Sequence, residues 1–175
     1  MEIRKLLMIA LAVAITFAQE QALMFIPNVQ LTVVLVIVFA SMFTLRETII
    51  YILSYVFLDS LYMGGFNIFY MMPMIIAWGT LGVTTAYISK KTESEMTFAV
   101  IGLLFGFVYG WMFIPFMMIQ TGITNLWPYL IADLPFEIIM ATTGFVTTLW
   151  MYKPLTNTLK QVLYQKRVAT IKTYK

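Results

Sequence analysis

The chain has no cysteine and no histidine. Without cysteine there is no disulfide, no thiol nucleophile and no thiolate metal centre. Without histidine, Ser–His and Cys–His catalytic pairs and imidazole ligation are excluded too. Charge is scarce: Asp, Glu, Lys and Arg make up 11% of the 175 residues, against 61% hydrophobic residues. A soluble domain carries about 25% charged residues. No GxxxxGK[ST] phosphate loop occurs, so no ATPase is built in. Aspartyl proteases also place two acids in apolar surroundings, but no such motif accompanies the acids here. The chain therefore reads as a non-enzyme with no cofactor and no metal. Internal inverted repeats are not evident, which weighs against a self-contained secondary transporter.

What the sequence has is apolar runs. Six are long enough to cross a bilayer as helices: Leu6–Phe25, Val29–Leu45, Thr48–Gly64, Ile68–Ile88, Met96–Ile119 and Tyr129–Met151. Short breaks separate them: "IPN", "LRET", "GGFN", "SKKTESE" and "TGITNLWP", with Lys153-Pro154 closing the last run. The expectation is a single all-α membrane domain of six transmembrane helices over residues 1–175, with a basic tail over 152–175.

The 11 basic residues set the orientation. Arg4 and Lys5 precede the first run, Arg46 follows the second, and Lys90 and Lys91 follow the fourth. Lys153, Lys160, Lys166, Arg167, Lys172 and Lys175 follow the sixth. All lie on one side, which places both termini in the cytoplasm. The net charge of +3 thus reads as retention and lipid contact, not nucleic-acid binding. "RKLLMIALAVAITFAQ" also fits a cleavable signal peptide with "TFA" as its small-residue site. The apolar run continues through "ALMFI", which favours a retained first helix.

Glu2, Glu47, Glu93 and Glu95 fall on the basic side and read as ordinary surface charges. Glu20, Asp59, Asp133 and Glu137 do not. They fall in the outer half, which holds no Lys or Arg. A carboxylate at bilayer depth costs about 2.5–3.5 kcal/mol on insertion scales and marks a function. Asp133 and Glu137 in "YLIADLPFEII" are four apart and share a helix face, which Gly144 and Thr148 continue. A polar cavity open to the outside accommodates them. The ordinary alternative is that such acids cap helix ends or sit among headgroups. It suits Glu20 best and Glu137, the deepest, least.

Aromatic and amide side chains gather at the same level. Tyr62, Phe66, Asn67 and Tyr70 surround the "GGFN" turn, Trp111 is in the outer half of run five, and Trp127 and Tyr129 stand at the mouth of run six. Asn28 and Gln30 open run two. Singly these are interface residues. Together they suit a pocket for a flat, polar ligand, a cationic one included. The candidate substrate contacts are Asn28, Gln30, Asp59, Tyr62, Asn67, Tyr70, Trp111, Trp127, Asp133 and Glu137.

Two small-residue stripes complete the pattern. Gly102, Gly106 and Gly110 mark close helix packing inside the bundle. Ala10, Ala14, Ala18 and Ala22 mark either internal packing or the docking of a separate membrane subunit.

The chain resembles the S component of energy-coupling factor (ECF) transporters, the vitamin-capture subunits of bacterial ABC importers. Three marks carry the resemblance: the Pro-Asn turn in "IPNVQLTVVLVIVFA", the acid before an aromatic, Gly-rich turn in "LDSLYMGGF", and the steps "LPFEII" and "YKPL" in run six. Asn28, Asp59 and Glu137 fall on these motif positions, whereas Asp133 stands where a small residue is expected. The resemblance implies capture of a small vitamin-like substrate from outside a bacterial cell membrane. It implies association with a shared ECF transmembrane subunit and two cytoplasmic ATPases, and ATP-driven reorientation that releases the substrate inside. It also implies that Ala10, Ala14 and Ala18 dock the shared subunit. A corrinoid, a thiamine-like compound or a modified-base precursor would each suit the acids. A proton-coupled carrier using Asp133 and Glu137 as a relay, and a structural membrane protein, are the competing readings.

Overall fold

The computed structural model describes residues 3–26, 29, 31–122 and 124–173, with side chains through residue 161. The described residues form six helices and no strand: α1 (Ile3–Leu23), α2 (Thr32–Met42), α3 (Leu45–Tyr62), α4 (Ile68–Ile88), α5 (Glu95–Thr121) and α6 (Leu126–Thr173). Four of them, α1, α4, α5 and α6, are long and apolar enough to cross a membrane.

α2 organises the rest. Its sequence, TVVLVIVFASM, is apolar all round, and every residue from Thr32 to Ala40 is buried. A helix with no polar face is kept from water by a protein core or by lipid, and here the other helices cover it. α2 touches each of the other five helices. Its Val-rich run has modest helix propensity, which the enclosing contacts override. The helix is shorter than the 17-residue span expected over Val29–Leu45. Eleven residues reach only about 16 Å, against about 30 Å of hydrocarbon. It stops at Met42 because Phe43 and Thr44 are extended, and Thr44 opens α3 as its N-cap.

That cap corrects the expectation for Glu47. The Thr44 amide donates to Glu47 Oε2 at 2.9 Å, and the Glu47 amide donates to the Thr44 hydroxyl at 3.4 Å. Lys5 Nζ stands 3.2 Å from Glu47 Oε1, tying α1 to α3. Glu47 is a buried member of a capping box, not a loose surface charge. The bond from the Thr44 amide holds its carboxyl below the ordinary range, and Lys5 adds to this. The contribution is therefore present above the ordinary carboxylate range and is lost as pH falls through the lowered value. Thr44→Ala should cost about 1 kcal/mol. Thermal unfolding of the purified chain should then fall by roughly 2–4 °C, and an unchanged midpoint would contradict this role.

The same end holds the other ion pairs. Lys153 meets Glu95 at 2.9 Å and Lys160 meets Glu93 at 2.9 Å, joining α6 to the start of α5 and the turn before it. Lys153-Pro154, expected from sequence to close the last apolar run, does not end the helix, which runs on to Thr173. A proline removes one amide and crowds one carbonyl, which a long helix absorbs as a local irregularity.

α5 and α6 make the most extensive helix pair. Their seam is the glycine stripe. A Cβ on Gly102 would meet the Gly144 carbonyl oxygen at 2.9 Å, and one on Gly144 would meet the Gly102 oxygen at 2.9 Å. Gly106 lies directly on the Ala141 backbone. Only glycine allows two helix backbones this close. On the expected shared face of α6, Glu137, Gly144 and Thr148 are buried, with Ala141 among them, and Asp133 is half-buried.

α1 is peripheral and packs only on α2 and α3. Ile9, Ala12, Val13 and Thr16 are its buried side. Ala10, Ala14, Ala18 and Ala22 face away from the bundle and are exposed. Internal packing is thereby removed as their explanation.

Candidate ligand-binding site

The end of the bundle opposite the ion pairs holds a cavity of about 720 Å³. The last turns of α1 and α3, the first turn of α4 and the second half of α5 enclose it. α1 contributes Glu20, α3 contributes Asp59 and Ser60, α4 contributes Asn67 and Tyr70, and α5 contributes Tyr109 and Phe113. The turn between α3 and α4 forms part of the wall through Gly64 and Gly65, whose φ values of 101° and 121° require glycine. Asn67 also caps α4, since its side chain accepts from the Phe69 amide at 2.9 Å.

Helix α1 is held at this cavity by Gln19. Its side-chain amide donates to Thr32 Oγ1 at 2.6 Å and accepts from the Leu31 amide at 3.0 Å, pinning α1 to the start of α2. Deeper in, Thr16 and Tyr51 share a buried hydrogen bond of 2.7 Å between α1 and α3. Glu20 then faces α3, where the Tyr55 hydroxyl donates to it. Asp59 stands one turn beyond Tyr55 and is buried, with one long bond of 3.5 Å from Gln21.

The floor is aromatic. Tyr70 meets Phe113 with ring centroids 6.4 Å apart, and Phe113 meets Tyr109 at 5.0 Å. Tyr109 meets Trp78 at 5.3 Å, and Trp78 meets Tyr55 at 6.0 Å. Edge and tilted contacts of this kind hold rings in fixed orientations.

A smaller cavity of about 180 Å³ adjoins α6 and is lined by Asp133, Glu137 and Tyr129. Tyr109 and Phe113 line both cavities and so form their common wall. Glu137 is 3% exposed, with the Trp111 side chain as a hydrogen-bonding neighbour, but among the described residues no donor meets either of its oxygens in full hydrogen-bond geometry. Buried polar atoms are almost always paired, so this carboxylate stands out. Gly110 makes room for it: a Cβ there would sit 2.5 Å from Glu137 Oε1 and 3.0 Å from Asp133 Oδ2.

The structure brings together Asp59, Asn67 and Tyr70 in the larger cavity, and Asp133 and Glu137 in the smaller one. Tyr62 is 55% exposed and packs edge-on against Phe17 instead. Trp111 is 53% exposed and Trp127 is 70% exposed, and neither lines either cavity, though the Trp111 side chain is a hydrogen-bonding neighbour of Glu137. Asn28 and Gln30 lie outside the described residues. Sequence reasoning left out Glu20, Tyr109 and Phe113. Tyr109 had a legible signal, since it adjoins Gly110 in the stripe that marks the α6 side of α5. Among the described residues, no group of three or more Asp or Glu side chains is arranged to hold a metal.

No family model, curated protein or solved structure matches the chain.

Proposed function

We propose that the chain is the substrate-capture subunit of an ECF-type ABC importer in a bacterial cell membrane. In this reading the six helices form one membrane domain, both termini are cytoplasmic, and the larger cavity faces outside. A shared transmembrane subunit and two ATPases complete the transporter. The observation that carries the proposal is the cavity of about 720 Å³, which sits at the end opposite the basic residues. Its size suits a vitamin-sized ligand, and the positive-inside rule puts that end outside. The exposed alanine face of α1 supplies a surface for close helix docking. Orientation by basic residues, the cavity and the docking face all agree with the resemblance in "LDSLYMGGF" and "LPFEII".

A capture subunit holds its ligand without ATP. Native mass spectrometry of the chain purified alone from its own membranes should therefore show one small-molecule adduct per chain, released on unfolding. A chain that carries none would count against capture. The buried Glu137, whose oxygens lack a donor in full hydrogen-bond geometry among the described residues, with Asp133 one turn away, favours a second reading as a proton-coupled carrier. Such a carrier would lose uptake when the proton gradient is collapsed, whereas an ATP-driven importer would keep it.

A further inference from the structure

We infer that the two cavities form one composite site selective for an aromatic organic cation, with the ring on the Tyr70–Phe113–Tyr109 floor and the cationic group reaching the carboxylates. Calling the cation a transport substrate rests on the capture-subunit reading; the selectivity itself does not. The starting point is Glu137. It is buried and lines the smaller cavity, and although the Trp111 side chain is a hydrogen-bonding neighbour, neither of its oxygens meets a donor in full hydrogen-bond geometry among the described residues. A donor from a ligand would complete it.

Charge then restricts the ligand. Glu20 and Asp59 line the larger cavity, Asp133 and Glu137 the smaller, and among the described residues no Lys or Arg lines either. The basic residues with described side chains lie at the other end, where Lys5, Lys153 and Lys160 are held by Glu47, Glu95 and Glu93. A cleft lined by charge of one sign with low-dielectric walls concentrates ligands of the opposite sign. Phosphorylated or carboxylated ligands would face uncompensated repulsion here.

The aromatic floor sharpens the class. Ring faces attract cations, more strongly when water is excluded. Tyr109 and Phe113 border both cavities, so a ligand ring stacked on them adjoins the spaces that both acid pairs line. A simple inorganic cation would use the acids and leave the ring floor and most of the larger cavity without a role.

The test uses a ring-matched series on the purified full chain: tryptamine, tryptophol and indole-3-acetate share one ring and differ in charge. Sodium chloride forms a separate arm. Tryptamine at millimolar concentration should raise the thermal unfolding midpoint, and the neutral and anionic partners should not. Glu137→Gln and Asp59→Asn should each weaken tryptamine about tenfold, as expected for loss of a charge-assisted bond. Both are near-isosteric and should leave the fold intact, which the unfolding midpoint without ligand verifies. No response to tryptamine, an equal response to tryptophol or indole-3-acetate, or stabilisation by sodium alone would overturn the inference. So would variants that bind tryptamine like the parent chain. Cation selectivity without co-purifying ATPases would keep this site and sink the importer subunit; ATPases without cation selectivity would do the reverse.

Discussion

Gly106→Val should destabilise the protein by about 3 kcal/mol or more, the upper end of overpacking costs. A Cβ at Gly106 would fall on the backbone nitrogen and Cα of Ala141. Backbone has no rotamer to escape into, so α5 and α6 would have to separate. Their seam continues through Gly102–Gly144 and up to Gly110, where it sets the positions of Asp133 and Glu137. The smaller cavity should therefore be lost together with stability. Two controls grade the effect. A Cβ at Gly82 meets side-chain atoms of the buried Ile52 and Thr48 and no backbone, so Gly82→Ala requires a local shift but no separation of helix backbones and should cost less. At Gly79 nothing lies within 4 Å, so Gly79→Ala should be neutral or slightly stabilising, as helix propensity favours alanine. Thermal unfolding of the three variants orders them, and a Gly106→Val protein that melts with the parent would refute the seam.

Ala14→Leu should do the opposite: leave the fold and abolish assembly. Ala14 is exposed on the side of α1 away from Ile9, Ala12, Val13 and Thr16, so a larger side chain meets no other helix of this chain. Close approach by a partner helix depends on small side chains along the contact. Leucine at the centre of the Ala10–Ala14–Ala18 stripe would hold such a helix away. The variant should purify with a normal unfolding midpoint and bind ligand normally, while uptake in cells falls to background. Uptake undiminished in Ala14→Leu would show that this face docks nothing needed for transport.

Sequence reading was strongest where periodicity and punctuation agree. α4 was legible because Asn67 caps its start and a charged turn follows its end. The glycine seam was legible because glycine at every fourth position has few uses besides close packing. Which way the alanine stripe points was not legible, since spacing shows that residues share a face but not its direction; burial of Ile9, Ala12, Val13 and Thr16 shows that it points out of the bundle. The length of α2 was hidden because an apolar run does not show where its helix stops, and the capping box at Thr44 and Glu47 takes the last residues away. Pro154 misled because proline can sit inside a long helix. In the site, acids stood out in an apolar sequence, and Asp59, Asp133 and Glu137 do line cavities. Tyr62 and Trp127 were grouped with them by depth, and depth does not set direction around a helix axis; Trp111 lines neither cavity, but its side chain is a hydrogen-bonding neighbour of Glu137. Glu20 was discounted as a residue near a helix end; its partner Tyr55 is 35 residues away, a tertiary contact that local pattern cannot reveal.

Co-purification tests the capture-subunit assignment most directly. A tagged chain, drawn from the membranes of its own organism in mild detergent and resolved by native mass spectrometry, should bring one larger membrane subunit and two nucleotide-binding ATPase subunits in fixed stoichiometry. The Ala14→Leu chain, treated in parallel, should come alone. A parent chain that elutes without ATPase subunits, under conditions where it still binds ligand, would contradict the assignment.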